Sequence, residues 1–202
     1  MKLRWASGSP FVRKVMVTAI ETGLDSRIER MPTDYRDPDS DIADHNPLGK
    51  VPALILDDGS ILIDSPVICG YLDSLHSGEK IVPTDPSARW RALSLEGLGD
   101  GMTEAAIAVQ RERSRPENKR WAEFSDAQWG KVESAMDWIE GSAGEVLGSK
   151  LNIGQIAIAC GLGWIQFRMG DIFGEWREDW PNTGKWFDDF SLRPSMRDTA
   201  PE

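Results

Sequence analysis

Two Ser-Pro pairs are the most informative residues of this sequence, because each stands where a helix is predicted to begin. Ser9-Pro10 opens SPFVRKVMVTAIETG, and Ser65-Pro66 opens SPVICGYLDSLH. Serine is a favoured helix N-cap, and proline suits the first helical position because its missing N–H would be unpaired there. A helix N-terminus presents free N–H groups and a partial positive charge, which stabilise anions. Capping explains either pair alone, but the two together favour a ligand with two anionic ends.

The segment Lys50-Val51-Pro52 lies between the two pairs and directly precedes a predicted hairpin. The apolar runs PALIL and ILID form the two strands of this hairpin, and DDGS forms its turn. Proline fixes φ and removes a backbone donor, so it is unwelcome inside a sheet. Pro52 and Pro66 bracket the hairpin, which indicates a backbone edge arranged to receive a ligand.

Periodicity predicts the elements that position these residues. KLRWA alternates as a strand does, the first Ser-Pro segment repeats apolar residues at helical spacing, and SRIERM is a weak second strand. A polar stretch from Thr33 to Asn46 is a loop or short helix, and the hairpin and the second Ser-Pro helix follow. The order β-α-β-α-β-β-α then builds a four-stranded mixed sheet over residues 1–77.

The rest of the chain is predicted to be helical. Residues 78–86 form a linker with two prolines before an all-α helical bundle at residues 87–202. In LNIGQIAIACGLGWIQFRMG, Asn152 and Gln155 form a capping-box variant, and the apolar residues all round predict a buried central helix. Most of the nine tryptophans lie in this half, where we expect them to pack in the core.

Composition and motif searches argue against several classes of function. The 23 Lys and Arg against 33 Asp and Glu give a net charge of −10, which disfavours nucleic acid and anionic membranes as partners.

The N-terminal stretch MKLRWASGSP lacks the apolar h-region of a secretory signal, and VMVTAI and IAIACGLGWI are too short to span a bilayer. The two cysteines, Cys69 and Cys160, do not form a pattern of disulfide bridges, so we expect buried free thiols and a cytoplasmic protein. His45 and His76 stand alone, so we expect no metal site.

The stretch NPLGKVPALILDDGSILIDSPVICGYL resembles the glutathione-binding half of the cytosolic glutathione S-transferases. NIGQIAIAC resembles the capped central helix of that family. SPFVRK is similar to the start of its serine-type members, in particular tau-class and small bacterial ones. The resemblance covers essentially the whole chain. It implies a thioredoxin-like N-terminal domain, a helical C-terminal domain, and glutathione as co-substrate.

The resemblance also implies a role for each residue that binds glutathione. Pro52 would follow a cis peptide bond that turns the backbone of Val51 outward to pair with the cysteinyl part of the tripeptide. Lys50 would bind the glycyl carboxylate. Ser65 would take the γ-glutamyl carboxylate at the helix N-terminus, with Asp64 beside the ammonium.

Ser9 matches the catalytic serine of the family, whose hydroxyl donates a hydrogen bond to the glutathione sulfur. A thiol of pKa ~8.5 is only about 3% thiolate at pH 7, and lowering its pKa by roughly 2 units makes most of it thiolate. A hydroxyl donor and a helix N-terminus both favour the anion, and Arg13 and Lys14 are expected to add local positive charge. Ser7, two residues earlier, is the alternative donor.

The sequence therefore predicts a glutathione transferase whose thiolate attacks an apolar electrophile in a cleft between the domains. Met102, Ala106 and Arg113 are candidates to line that cleft, and the resemblance implies a homodimer. Two alternatives stay open. One is a glutathione-dependent ether-cleaving enzyme or thiol–disulfide reductase on the same fold, and the other is a non-catalytic glutathione-binding protein.

Overall fold

The first part of the chain folds into a four-stranded mixed sheet. The computed structural model describes residues 1–148 and 150–201. The strands are β1 (Lys2–Trp5), β2 (Glu29–Pro32), β3 (Ala53–Ile55) and β4 (Ile61–Leu62), and they lie in the order β2-β1-β3-β4. β2 is parallel to β1, whereas β3 is antiparallel to both β1 and β4. The predicted sheet is thereby confirmed.

The two Ser-Pro segments form helices α1 (Pro10–Glu21) and α2 (Ser65–Ser74), as predicted. The stretch between β2 and β3, predicted as a loop or short helix, contains a 3-10 turn at Asp41–Asp44 rather than an α-helix. Aspartates explain part of this difference, because their side chains bind backbone N–H groups two residues on and so compete with helix formation. Asp34 Oδ1 accepts from the N–H of Arg36 in this way, at 2.9 Å.

The second part of the chain is helical, as predicted. Its helices are α3 (Pro86–Arg113), α4 (Ala122–Gly141), α5 (Ala143–Val146), α6 (Ile153–Phe173), α7 (Trp176–Asp179), α8 (Pro181–Ser191) and α9 (Pro194–Arg197). α3 and α6 run parallel in close contact. A Cβ built on Gly99 of α3 would stand 2.8 Å from the backbone nitrogen of Ile158 in α6, so only glycine allows this approach. The predicted division at residues 78–86 stays a prediction.

The central helix α6 has the predicted capping box. Asn152 Oδ1 accepts from the N–H of Gln155 at 3.2 Å, and Gln155 Oε1 accepts from the N–H of Asn152 at 3.3 Å. By length and composition the whole helix of 21 residues could cross a membrane, although the run IAIACGLGWI alone is too short for that. Most of its apolar window, 61%, is buried inside the protein, as in the core helix of a soluble bundle.

The tryptophans of the helical part differ in burial, and three of them pack partly buried against the core: Trp129, Trp180 and Trp186. Trp164 and Trp176 are buried, and Trp176 stacks on Phe173 with ring centroids 5.0 Å apart. The expectation of core packing is wrong for three others, which are at least half exposed: Trp90, Trp121 and Trp138.

Candidate functional site

Ser9 lies in the tight connection between β1 and α1 and is buried. Its N–H donates to the carbonyl of Ala6 at 3.1 Å, and its Oγ accepts from the N–H of Val12 at 3.3 Å. Ser9 is therefore the N-cap of α1, as predicted. Because Oγ only accepts in this arrangement, the hydroxyl proton is left to donate to a ligand. The alternative residue, Ser7, is exposed and caps nothing in the described part of the chain.

Helix α6 holds this connection from the other side. Trp164 Nε1 donates to the carbonyl of Gly8 at 3.1 Å, and Arg168 Nη2 lies 2.9 Å from the position that a Cβ on Gly8 would occupy. Any side chain at Gly8 would therefore displace the guanidinium. The residues that support Ser9 lie more than 150 positions away, and no sequence pattern pointed to them.

The segment Lys50-Val51-Pro52 lies along the edge that leads into β3. The Val51–Pro52 peptide bond is cis, both residues are buried, and Lys50 is exposed. Asn46 fixes the preceding turn. Its Nδ2 donates to the carbonyl of Lys50 at 2.8 Å, and its Oδ1 accepts from the N–H of Leu48 at 3.0 Å. Asn46 was part of the matched motif, but its supporting role was not predicted.

Asp64 and Ser65 begin helix α2, and the structure corrects the expected cap. The N-cap is Asp64, whose Oδ1 accepts from the N–H of Ser65, so Ser65 is the first helical residue. The Ile63–Asp64 peptide bond is cis. Ser65 is fully buried, and its Oγ has no hydrogen-bond partner among the described residues. An unpaired buried hydroxyl costs about 1–3 kcal/mol. A ligand oxygen at this helix end would satisfy it.

Lys14 does not supply free positive charge, so the expectation is wrong for that residue, whereas Arg13 pairs with no carboxylate in the described part of the chain. Lys14 is buried, and its Nζ lies 3.0 Å from Glu96 Oε1 and 2.5 Å from Asp100 Oδ2 of α3. Arg13 Nη2 donates to the carbonyl of Met196 at 2.9 Å. Both side chains hold α1 against the helical part of the protein.

The buried ion pairs change the titration of neighbouring groups. Burial raises the pKa of Asp100 to about 6, although Lys14 acts in the opposite direction, and the charges of Glu96 and Asp64 raise it further. Burial also raises the pKa of Cys69 to about 12 and that of Cys160 to about 11. Both thiols are free and buried, as expected, and neither can act as a thiolate near neutral pH.

The candidates for the electrophile cleft fit less well. Met102 and Ala106 are buried and belong to the hydrophobic core, so they cannot line an open cleft. Arg113 pairs with Asp171 of α6 at the surface. In residues 1–148 and 150–201, no group of three or more His, Cys, Asp or Glu side chains is arranged to hold a metal ion.

A cavity of about 620 Å³ lies away from all of these residues. It is open between the start of α3, α5 and the segment before α6, with Leu95 and Leu151 among its lining residues. None of the residues predicted to bind glutathione lines it, so this cavity is not the candidate site.

Comparisons with known proteins agree with this geometry. Sequence profiles of the glutathione S-transferase N-terminal and C-terminal domains match residues 8–75 and 111–189. The chain is 32% identical over its whole length to YibF, a GST-like protein of Escherichia coli K12, of which it covers 98%.

Solved structures give closer matches. A glutathione transferase family member from Pseudomonas fluorescens Pf-5, crystallised with bound glutathione, is 41% identical, with a TM-score of 0.93 over 100% of this chain and 98% of that one. A structure from the same strain with bound S-(propanoic acid)-glutathione is also 41% identical, with a TM-score of 0.91 over the whole of both chains. The chain thus belongs to the glutathione S-transferase family.

Proposed function

We propose that the protein is a serine-type glutathione transferase in which the Ser9 hydroxyl stabilises the glutathione thiolate. The observation that carries this proposal is the hydrogen bonding of Ser9 at the start of α1. Its oxygen accepts from the N–H of Val12, so its proton is available to a sulfur anion, and the helix N-terminus adds partial positive charge.

Glutathione would lie along the edge formed by the hairpin and the start of α2. The backbone of Val51 pairs with the cysteinyl part, and the exposed Lys50 binds the glycyl carboxylate. Ser65 donates its unpaired hydroxyl to the γ-glutamyl carboxylate, and Asp64 stands beside the ammonium. The glutathione seen in the related Pseudomonas fluorescens structure supports this assignment of the ligand.

The reaction we propose is conjugation. The thiolate attacks an electrophilic carbon, and positioning and thiol activation supply the rate enhancement without a covalent enzyme intermediate. The S-(propanoic acid)-glutathione bound by a relative supports a site that accommodates a short substituent on the sulfur. A homodimer and a cytoplasmic location stay predictions.

The number, burial and position of the cysteines argue against a thiol–disulfide reductase. The sequence has two cysteines, and burial raises the pKa of both thiols far above neutral pH. Neither stands in the connection that carries Ser9. Ether cleavage needs the same activated glutathione thiolate. It would therefore use the same site and differ only in the substrate.

The test is the ultraviolet absorbance of the bound glutathione thiolate between pH 5 and 9, in wild type, Ser9→Ala and Ser7→Ala. We expect a thiol pKa lowered by about 2 units in wild type and in Ser7→Ala, and a value near ~8.5 in Ser9→Ala. An unshifted thiol in the wild-type complex would leave a glutathione-binding protein without thiol activation. Loss of the shift in Ser7→Ala alone would transfer the role to Ser7.

A further inference from the structure

Arg168 is fixed beside the connection that carries Ser9. It lies one helical turn after Trp164 on α6, and the indole of Trp164 anchors that turn to the carbonyl of Gly8. The guanidinium lies over the ring of Phe167, 4.6 Å from its centroid, and against the open side of Gly8. Phe167 and Gly8 therefore flank an exposed arginine head.

The guanidinium of Arg168 has no acceptor of its own. In the part of the chain that the structure describes, it donates no hydrogen bond and pairs with no carboxylate, although the chain holds 33 Asp and Glu. Asp171, three residues further along α6, is engaged by both terminal nitrogens of Arg113. The five N–H donors of Arg168 are thus available to a ligand.

These donors lie within reach of a substituent on a glutathione sulfur placed at Ser9, as the proposed function has it. Consecutive Cα atoms are about 3.8 Å apart, so the contact with Gly8 puts the guanidinium within roughly 8 Å of the Cα of Ser9. A group joined to a sulfur at Ser9 through two carbons reaches that far. Guanidinium binds carboxylate through two parallel hydrogen bonds and does so more selectively than a lysine ammonium.

We propose that Arg168 is a specificity residue that binds a carboxylate of the electrophile, and that the preferred electrophiles are short α,β-unsaturated carboxylic acids. This inference rests on the proposed function. The glutathione sulfur forms a C–S bond to the β-carbon, the π pair of the double bond moves to the α-carbon, and the α-carbon takes a proton from solvent water. The thiol proton has already passed to solvent, so nothing leaves and no redox partner is needed.

The test is calorimetric titration with two glutathione conjugates of the same shape, S-(2-carboxyethyl)glutathione and S-(2-carbamoylethyl)glutathione. The first carries a carboxylate where the second carries a neutral amide. We expect wild type to prefer the carboxylate conjugate. In Arg168→Gln the carboxylate conjugate should bind about 10-fold more weakly or worse, because a hydrogen bond to a charged group is lost. The amide conjugate should change by less than about 3-fold, and Arg168→Lys should recover part of the preference.

Controls separate this inference from charge and folding effects, and from the proposed function. Arg89→Gln removes an exposed charge near the start of α3 and should change neither affinity. Equal loss for both conjugates in Arg168→Gln would overturn the inference, because the arginine would then only support the Ser9 connection. No preference in wild type, with glutathione still bound, would overturn it and leave the proposed function standing. Failure of glutathione and of both conjugates to bind would overturn both.

Discussion

The two helices that begin with Ser-Pro use their serines differently. At α1, Ser9 is the N-cap, and its oxygen accepts from the N–H of Val12. At α2, Asp64 is the N-cap, and Ser65 moves one position into the helix with a buried hydroxyl that has no partner among the described residues. The same dipeptide therefore gives one hydroxyl with a structural role and one without.

The residue before the serine explains the difference. Asp and Ser are similarly good N-caps, so an aspartate that precedes the serine can take its place. Asp64 does this at α2, whereas Gly8 offers no side chain at α1. The comparison teaches that capping by Asp64 leaves the hydroxyl of Ser65 unpaired and so available to a ligand, whereas under the proposed function Ser9 both caps its helix and binds the ligand.

Ser65→Ala tests the difference with the largest expected effect. Glutathione should bind about 10-fold more weakly or worse, because a hydrogen bond to a carboxylate is lost. The free energy of unfolding of the unliganded protein should stay equal or rise, because an unsatisfied buried hydroxyl is removed. Calorimetry and urea unfolding measure the two quantities.

The matched control is Ser74→Ala at the other end of α2, where the exposed hydroxyl donates to the carbonyl of Tyr71. It should leave glutathione affinity unchanged. A clear fall in the stability of unliganded Ser65→Ala would show that this hydroxyl has a structural partner after all.

Ser9→Ala should show the opposite behaviour in the unliganded protein. Loss of the cap should lower the free energy of unfolding by about 1 kcal/mol. Ser9→Asn should recover most of that stability, because asparagine caps as well as serine. Urea unfolding measures this loss. The control is Ser7→Ala, which makes the same substitution at an exposed serine. If Ser9→Ala proved as stable as wild type, the cap would contribute nothing to the free energy of unfolding, and the contrast with Ser65 would disappear.

The far end of α1 offers a smaller test. Arg193 and Ser195 hydrogen-bond Glu21 and lower the pKa of its carboxyl, against the effect of burial. Arg193 is more than one third exposed, so solvent screens the pair, and we expect Glu21→Gln to cost about 1 kcal/mol at pH 7.

The pH dependence of that loss has a definite sign. A carboxyl whose pKa is lowered in the folded state stabilises the protein at any pH above its ordinary pKa, which is near 4.5. This contribution is lost as the pH falls through the folded-state pKa. Melting temperatures of wild type and Glu21→Gln should therefore converge as the pH falls below 4.5. Asp189→Asn, in an exposed pair with Lys185, should change stability by only a few tenths of a kcal/mol. A gap for Glu21→Gln that persisted at low pH would refute the assignment.

The smallest expected effect concerns the charge at the α2 cap. The pKa of Asp100 is raised to about 6, mainly by burial and in part by the charge of Asp64. Asp64→Asn keeps a capping oxygen but removes that charge, so the pKa of Asp100 should fall by a few tenths of a unit. Carboxyl carbon shifts in NMR report it directly. Asp58→Asn, in the exposed hairpin turn, should leave it unchanged, and an increase after Asp64→Asn would contradict the expected electrostatics.

Features set by neighbours in sequence could be predicted, and features set by distant contacts could not. The capping box of Asn152 and Gln155 spans four residues, and the sequence alone revealed it. Lys14 was expected near the thiol because it stands one turn after Ser9. Its partners lie 82 and 86 residues further on, and their charges pull it into the interface with α3.

The candidate site follows the same rule. The motif residues from Lys50 to Ser65 could be named from the sequence, because the family resemblance lies in that contiguous stretch. Which of Asp64 and Ser65 caps α2 could not be decided from residue types, since both are favoured. The support of Ser9 by Trp164 depends on how α6 packs against the sheet domain, a contact across 156 residues that leaves no local pattern.

That contact has a consequence for how such proteins can be recombined. Gly8, Trp164 and Arg168 form one structural unit, although the first is encoded far from the other two. A chimera that joins the opening segment of one relative to the helices of another would inherit the serine without its support. A crossover between these points should therefore succeed when both relatives carry the same three residues, and a crossover between relatives that differ there should disturb thiol chemistry while leaving both halves folded.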